Sequence, residues 1–277
     1  MTKHTLIPRP AYEPKSPKSP EPLHLLYPYA TPLNVAQLIL YTSIYEWTSF
    51  WGARHNKAIN MLNKKIYFLR KHLLNWFKEN KRYFHWRKPR ASFYGKLIAE
   101  IMLRRTTAKA VNSVYPIFIK KFPSFNVFIK ANKNQVVEVI KPLGKYNQKY
   151  AILKSLAERF KKRNLTKVSA QDLLEIKGVG LYTANAFLCF AKGESLPIVD
   201  SNVSRIYSRY FGVKIINKNI ANADIYQYAE KSLPKRNPSI YNMALLDFGA
   251  MICKNNKPEC IICPIRKTCC FFNGKSG

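Results

Sequence analysis

The chain has 277 residues, 47% of them hydrophobic, so it is neither a wholly disordered segment nor too short to bury a core. Lys and Arg number 47 against 15 Asp and Glu, a formal charge of +32 at pH 7. A charge that large opposes compaction unless a polyanion offsets it. Nucleic acid is therefore the leading partner, with a generally lysine-rich background as the competing explanation.

The N-terminal "MTKHTLIPRP" lacks the apolar run of a secretory signal. Prolines recur through "PRPAYEPKSPKSPEPLHLLYPYATP" and oppose helix and sheet, so residues 1–33 are expected to form a disordered or polyproline-like arm. Its "KSPKSP" suits phosphate contacts, or equally a solvated tail. Residues 34–59 read as an extra helical segment. Within it "NVAQLILYTSIYEWTSFW" is barely long enough to span a membrane and carries Asn34, Gln37 and Glu46. It reads as a buried or interfacial helix, not a span.

Helical spacing dominates the rest. In "YGKLIAEIMLRRTT" the apolar residues are Leu97, Ile98, Ile101 and Met102. In "DLLEIKGVGLYTANAFLCFA" Leu173, Leu174 and Ile176 precede a glycine turn, and Ala184, Phe187, Leu188 and Ala191 follow it at helical spacing. In "SNVSRIYSRYFG" Val203, Ile206, Tyr207 and Tyr210 repeat the pattern, and Gly212 is a natural stop. Strand-like alternation is scarce and no internal repeat is present, so the fold class is all-α.

"GVG" is not a dinucleotide fingerprint, because the third glycine and the preceding strand are missing. It is not a phosphate-binding P-loop either, because no Gly-Lys-Ser/Thr follows. What remains is helix, tight turn, helix. The free amides at the start of the second helix, with its dipole, suit one DNA phosphate. An ordinary helix connection would look the same.

Three carboxylates are embedded in apolar sequence: Glu100 in "LIAEIML", Asp200 in "LPIVDSN" and Asp247 in "ALLDFGA". Burial raises a carboxyl pKa and suits acid–base work near neutrality. The alternatives are structural. Glu100 could pair with Arg104 one turn on, Asp200 could cap the next helix, and Asp247 could hold a loop.

Five of the six cysteines lie in the last 25 residues, and all five histidines lie before residue 90. Cys253, Cys260, Cys263 and Cys269 are separated by six, two and five residues. Four thiolates so close suit zinc or an iron–sulfur cluster. One Cys-x-x-Cys knuckle with a thiolate on each flank favours a 4Fe–4S cube. With four protein ligands the cube would be structural. Cys270 is a spare neighbour, and Cys189 reads as core. Lys254, Lys257, Arg266 and Lys267 in the same loop suit the DNA backbone.

"IKGVGLYTANA" followed by "PIVDSN" and the cysteine quartet resembles the helix–hairpin–helix, Gly/Pro-Asp signature of the endonuclease III superfamily of DNA glycosylases. The likeness covers about residues 60–270. It implies a two-lobed helix–hairpin–helix fold with a C-terminal 4Fe–4S loop. Residues 87–195 would form a helical barrel domain, and residues 60–86 plus 196–277 a second domain holding the cluster. Strand-cleaving members carry a lysine nucleophile where this chain has Tyr182, so the resemblance implies a monofunctional enzyme. Glu100 matches the family glutamate. Arg104, Arg105 and Thr106 in "EIMLRRTT" resemble the archaeal-type thymine mismatch enzymes, where adenine glycosylases carry glutamines. Eight residues follow Cys269 in this sequence, so the adenine enzymes' extra domain is not expected. Adenine removal and a catalytically inactive DNA-binding protein remain the alternatives.

On that resemblance the partner is double-stranded DNA with a mismatched base, bound by an intracellular monomer without a membrane. The base is flipped out. Tyr146 fills the gap, and Arg104 and Arg105 meet the orphaned guanine. Lys177, Gly178, Val179 and Gly180 grip a phosphate. Asp200 stabilises the cationic sugar, with Asn202 orienting it or a water. Glu100 donates to the departing base or positions water, and Tyr182 touches the flipped base.

Overall fold

The computed structural model describes residues 35–214 and 223–274, with side chains over 56–214 and 224–274. The proline-rich arm at 1–33 and the side chains of 34–55 lie outside the described residues. The chain divides into two units, residues 1–59 and 60–277. In the first, the described backbone is the start of helix α1, Val35–Asn80. Among the described residues no helix is long and apolar enough to cross a membrane. The second unit carries everything below.

Every regular element among the described residues is helical. After α1 come α2 (Phe93–Met102), α3 (Ala108–Lys121), α4 (Phe125–Phe128), α5 (Lys133–Ile140) and α6 (Tyr146–Phe160). The hairpin pair is α7 (Ala170–Leu174) and α8 (Leu181–Phe187). Then follow α9 (Ser201–Phe211), α10 (Ala223–Ser232), α11 (Pro238–Met251) and α12 (Cys270–Asn273).

Two large hydrophobic clusters organise the second unit, with a small third one of Ala186, Cys189 and Ile198. One is built by residues between Phe84 and Leu188, around α2, α3 and α6. The other joins Leu69, Leu73 and Phe77 of α1 to Val203, Ile206, Tyr207 and Tyr210 of α9 and to α11. The apolar positions read from the sequence explain both. Leu97, Ile98, Ile101 and Met102 of α2 are fully buried, each stabilising by about 1.5–3 kcal/mol. Ser92 caps this helix, accepting from the Gly95 N–H at 3.0 Å. Gly212, with φ +81°, ends α9 as expected.

Two local devices set up the site. The helix after the hairpin widens into a π turn at Leu188–Lys192, which brings Phe190 to the wall of a cleft. Ser239 Oγ donates to the Cys189 carbonyl at 2.6 Å, and Asn242 Nδ2 to the Leu196 carbonyl at 3.0 Å. These bonds tie the π turn and the segment after it to α11, and Cys189 is fully buried, as its apolar context suggested.

Candidate active site

A cleft of about 430 Å³ opens between residues of the two clusters. That volume falls within the range of small-molecule sites. Its walls carry Glu100, Tyr182, Asp200 and Asn202 together with Arg87 and Lys96. The four residues expected from the sequence to be catalytic thus share one cavity.

Asp200 is held from below. It is the N-cap of α9: Oδ1 accepts from the Val203 N–H at 2.8 Å, and Oδ2 from Asn202 Nδ2 at 3.1 Å. The capping alternative is therefore real, and it aims the carboxylate rather than competing with the cleft. Asn202 Oδ1 accepts from Arg205 Nη2 at 2.8 Å. Arg205 also donates to the Gly249 and Cys253 carbonyls, each at 2.9 Å. Gly249 makes this approach possible, because a Cβ there would stand 2.8 Å from Asn202 Cβ.

Glu100 has a different environment. It is 4% exposed, and its Oε2 is buried with no hydrogen-bond partner among the described residues. Burial raises its pKa to about 7, against the pull of Arg87. Arg104 is exposed, and no Glu100–Arg104 ion pair forms among the described residues. Arg87 is fixed by fully buried Asp247, which accepts from its Nη1 at 2.9 Å and from Arg82 Nε at 2.8 Å. Asp247 also accepts from the Arg82 N–H at 2.9 Å, so it does hold a loop. The Tyr182 phenol is held well above its ordinary pKa by burial, then by the charges of Glu100 and Asp200. It remains a neutral hydroxyl that can donate.

The residues expected to face DNA lie around the cleft. Thr106 lines it, whereas Arg104, Arg105, Tyr146 and the hairpin turn at 177–180 do not. Arg104 and Arg105 are exposed, and Arg105 has φ +53°. Buried Lys149 clamps their turn to the loop before α6. Its Nζ donates to the Arg104 carbonyl at 2.8 Å, Thr106 Oγ1 at 3.0 Å and the Gly144 carbonyl at 3.1 Å. This ties the arginine turn to the loop that leads into half-buried Tyr146. At the hairpin Val179 is buried, while Lys177, Gly178 and Gly180 are exposed. Gly178 has φ +93°, and a Cβ there would meet the Ile152 side chain at 3.0 Å.

Cys253, Cys260, Cys263 and Cys269 line a second, small cavity of about 20 Å³, closed by Ile206, Tyr210 and Phe248. Burial pushes the Cys263 thiol up to about 12, and the neighbouring thiols push the same way. The four cysteines share this cavity, but among the described residues no group of three or more His, Cys, Asp or Glu side chains is placed to hold a metal ion. Arg209 donates to the Lys254 carbonyl at 2.6 Å and the Asn255 carbonyl at 2.9 Å, tying this loop to α9. Cys270 is exposed, with Lys65 Nζ 3.1 Å from its Sγ. Lys257, Arg266 and Lys267 are exposed, while half-buried Lys254 pairs with Glu259 at 2.8 Å.

Sequence reasoning missed Arg87, Lys96, Lys149 and Arg205. Lys96 had a signal, since it stands one turn before Glu100 in an otherwise uncharged helix. The other three depend on partners far along the chain.

Comparison with known proteins shows the family. The model of the HhH-GPD superfamily of base excision DNA repair proteins matches residues 98–233. The chain is 34% identical over 212 residues to a thymine/uracil-DNA glycosylase of Methanothermobacter thermautotrophicus, covering 76% of this chain and 96% of that one. It is 29% identical over 216 residues to an adenine DNA glycosylase of Buchnera aphidicola subsp. Schizaphis graminum, covering 76% of this chain and 61% of that one. The solved structure of a thermostable thymine-DNA glycosylase aligns with a TM-score of 0.70 at 33% identity, over 76% of this chain and 98% of that one.

Proposed function

Because this chain belongs to the HhH-GPD superfamily of base excision DNA repair proteins, we propose that it is a monofunctional DNA glycosylase releasing thymine or uracil mispaired with guanine. The observation that carries the reading is the convergence of Glu100, Tyr182, Asp200 and Asn202 on one cleft. The similarity to thymine/uracil enzymes over nearly their whole length supports the choice of base.

The substrate is double-stranded DNA, bound by one copy of the chain. A G·T wobble pair costs less to open than a matched pair, which favours flipping the target into the cleft. Tyr146 fills the gap, and Arg104 and Arg105, carried on the turn that Lys149 clamps, address the orphaned guanine. The amides around Gly178 and Gly180 hold a phosphate, with Lys177 beside them. Asp200, fixed by Val203 and Asn202, faces the sugar and stabilises positive charge developing at C1′. Glu100, with its pKa near neutrality, is available to donate to the departing base. Tyr182 stands where strand-cleaving relatives would carry an amine. The product is a free base and an abasic site with the strand intact.

Cys253, Cys260, Cys263 and Cys269 would hold a 4Fe–4S cluster in this reading, supported by their shared cavity. It would supply a structural tie, because four protein ligands would leave no open position for substrate.

The test is incubation with duplexes carrying G·T, G·U and A·8-oxoguanine, followed by alkali. Alkali-labile breaks in the first two are expected, and Asp200→Asn should lower their rate by about 100-fold or more while mispair binding persists. Breaks from the A·8-oxoguanine duplex alone would move the reading to adenine removal. Breaks without alkali, with borohydride trapping, would overturn the monofunctional claim. No product from any duplex would leave a DNA-binding protein.

A further inference from the structure

Lys96 and Glu100 are the only charged residues of α2, one turn apart, and both line the cleft. The half-buried Lys96 ammonium donates to the Phe190 carbonyl at 3.0 Å and forms no ion pair among the described residues. An ammonium has three donors, so this bond leaves two unassigned. Arg87, another cation on these walls, differs: Asp247 balances its charge, and its guanidinium lies over the Phe84 ring at 4.9 Å. A partly desolvated cation without a carboxylate is costly unless an anion arrives to meet it. Glu100 Oε2, buried and unpartnered on the same helix, also points to a ligand in this cleft.

Resting on the glycosylase reading above, we propose that Lys96 is a catalytic leaving-group residue, hydrogen-bonding O2 or O4 of the flipped pyrimidine and stabilising the anion as the base departs. When the C1′–N1 bond breaks, its electron pair stays with N1 and spreads onto O2 and O4. Water oxygen bonds to C1′, Asp200 takes the water proton, and one proton returns to the pyrimidine. A purine offers N7 to an acid, whereas a pyrimidine has no such nitrogen and presents only carbonyl oxygens. A cation at those oxygens acts where charge develops. Burial lowers the Lys96 pKa, which also eases proton transfer to the leaving base.

The test compares single-turnover release of thymine, uracil and 5-fluorouracil opposite guanine. Lys96→Gln keeps a donor for the Phe190 carbonyl and removes the charge. Lys96→Met also removes the charge and suits an apolar helix, so it serves if the Gln variant does not fold. Lys96→Arg keeps the charge. Either neutral variant should slow thymine release about 100-fold or more, yet slow 5-fluorouracil, the better leaving anion, about tenfold or less. Lys96→Arg should restore the wild-type spread between the bases. An equal loss on all three bases, or no loss, overturns the proposal, because a lysine that only braces Phe190 cannot distinguish leaving groups. Wild-type protein that releases none of the three overturns the glycosylase reading as well, and that result needs no variant.

Discussion

Glu100 and Asp200 line the same cleft in opposite settings. Asp200 has hydrogen bonds to both oxygens, whereas Glu100 leaves Oε2 bare in an apolar helix. Burial therefore raises the Glu100 pKa from 4.5 to about 7. A folded-state pKa above the unfolded one means that folding favours the protonated form. The associated stability is present below about pH 4.5 and is lost as pH rises through about 7. The deficit at pH 8 is on the order of 3 kcal/mol. Glu100→Gln keeps the shape and removes the ionisation. It should melt higher than wild type at pH 8, with the difference shrinking toward pH 5, while base release falls. Thermal melts at both pH values check this, and an equal difference at each would contradict the buried-acid account.

At the scale of elements, one helix start serves two purposes. The cap of α9 satisfies one orphan amide of that helix, Val203 N–H, and also aims Asp200. The close approach of α9 to α11 depends on Gly249, whose missing side chain admits Asn202. Gly249→Ala should push Asn202 away from Asp200 and lower the base-release rate about tenfold or more, with mispair affinity within about threefold of wild type. Single-turnover rates beside binding curves separate the two effects. The hairpin is constrained in another way. Gly178 sits at φ +93°, so alanine meets both backbone strain and Ile152. Gly178→Ala should cost about 1–2 kcal/mol in stability and weaken DNA binding, as read from denaturant melts and anisotropy. Unchanged DNA affinity would remove the hairpin from the phosphate contacts.

At the scale of the whole molecule, charge governs the encounter. With +32 on the chain, each phosphate contact releases counterions and makes affinity salt-dependent. Between 50 and 200 mM salt the affinity for duplex DNA should fall by about 10³-fold or more, the expectation for six or more phosphate contacts. Matched and mispaired duplexes should show similar slopes, because phosphates carry no sequence information. A shallow slope would mean that the lysines form a solvated surface instead. Gly178→Ala should reduce the slope by about one if the hairpin holds a single phosphate.

The helical class and the hairpin were legible in the sequence, because each is encoded in spacing over fewer than twenty residues. Glu100 and Asp200 were legible as candidates, since a carboxylate in apolar sequence stands out locally, whereas Tyr182 and Asn202 were named from the family resemblance. Their convergence was decided only by the tertiary structure. So were the restraints around them: Arg87 reaches Asp247 across 160 residues, Lys96 reaches Phe190 across 94, and Arg205 reaches Cys253 across 48. Which carboxylate is neutralised, and which cation is left free, depends on distances through space. Periodicity along the chain carries no record of them, because a side chain finds its partner only after two hydrophobic clusters have packed and a cleft has formed between their residues.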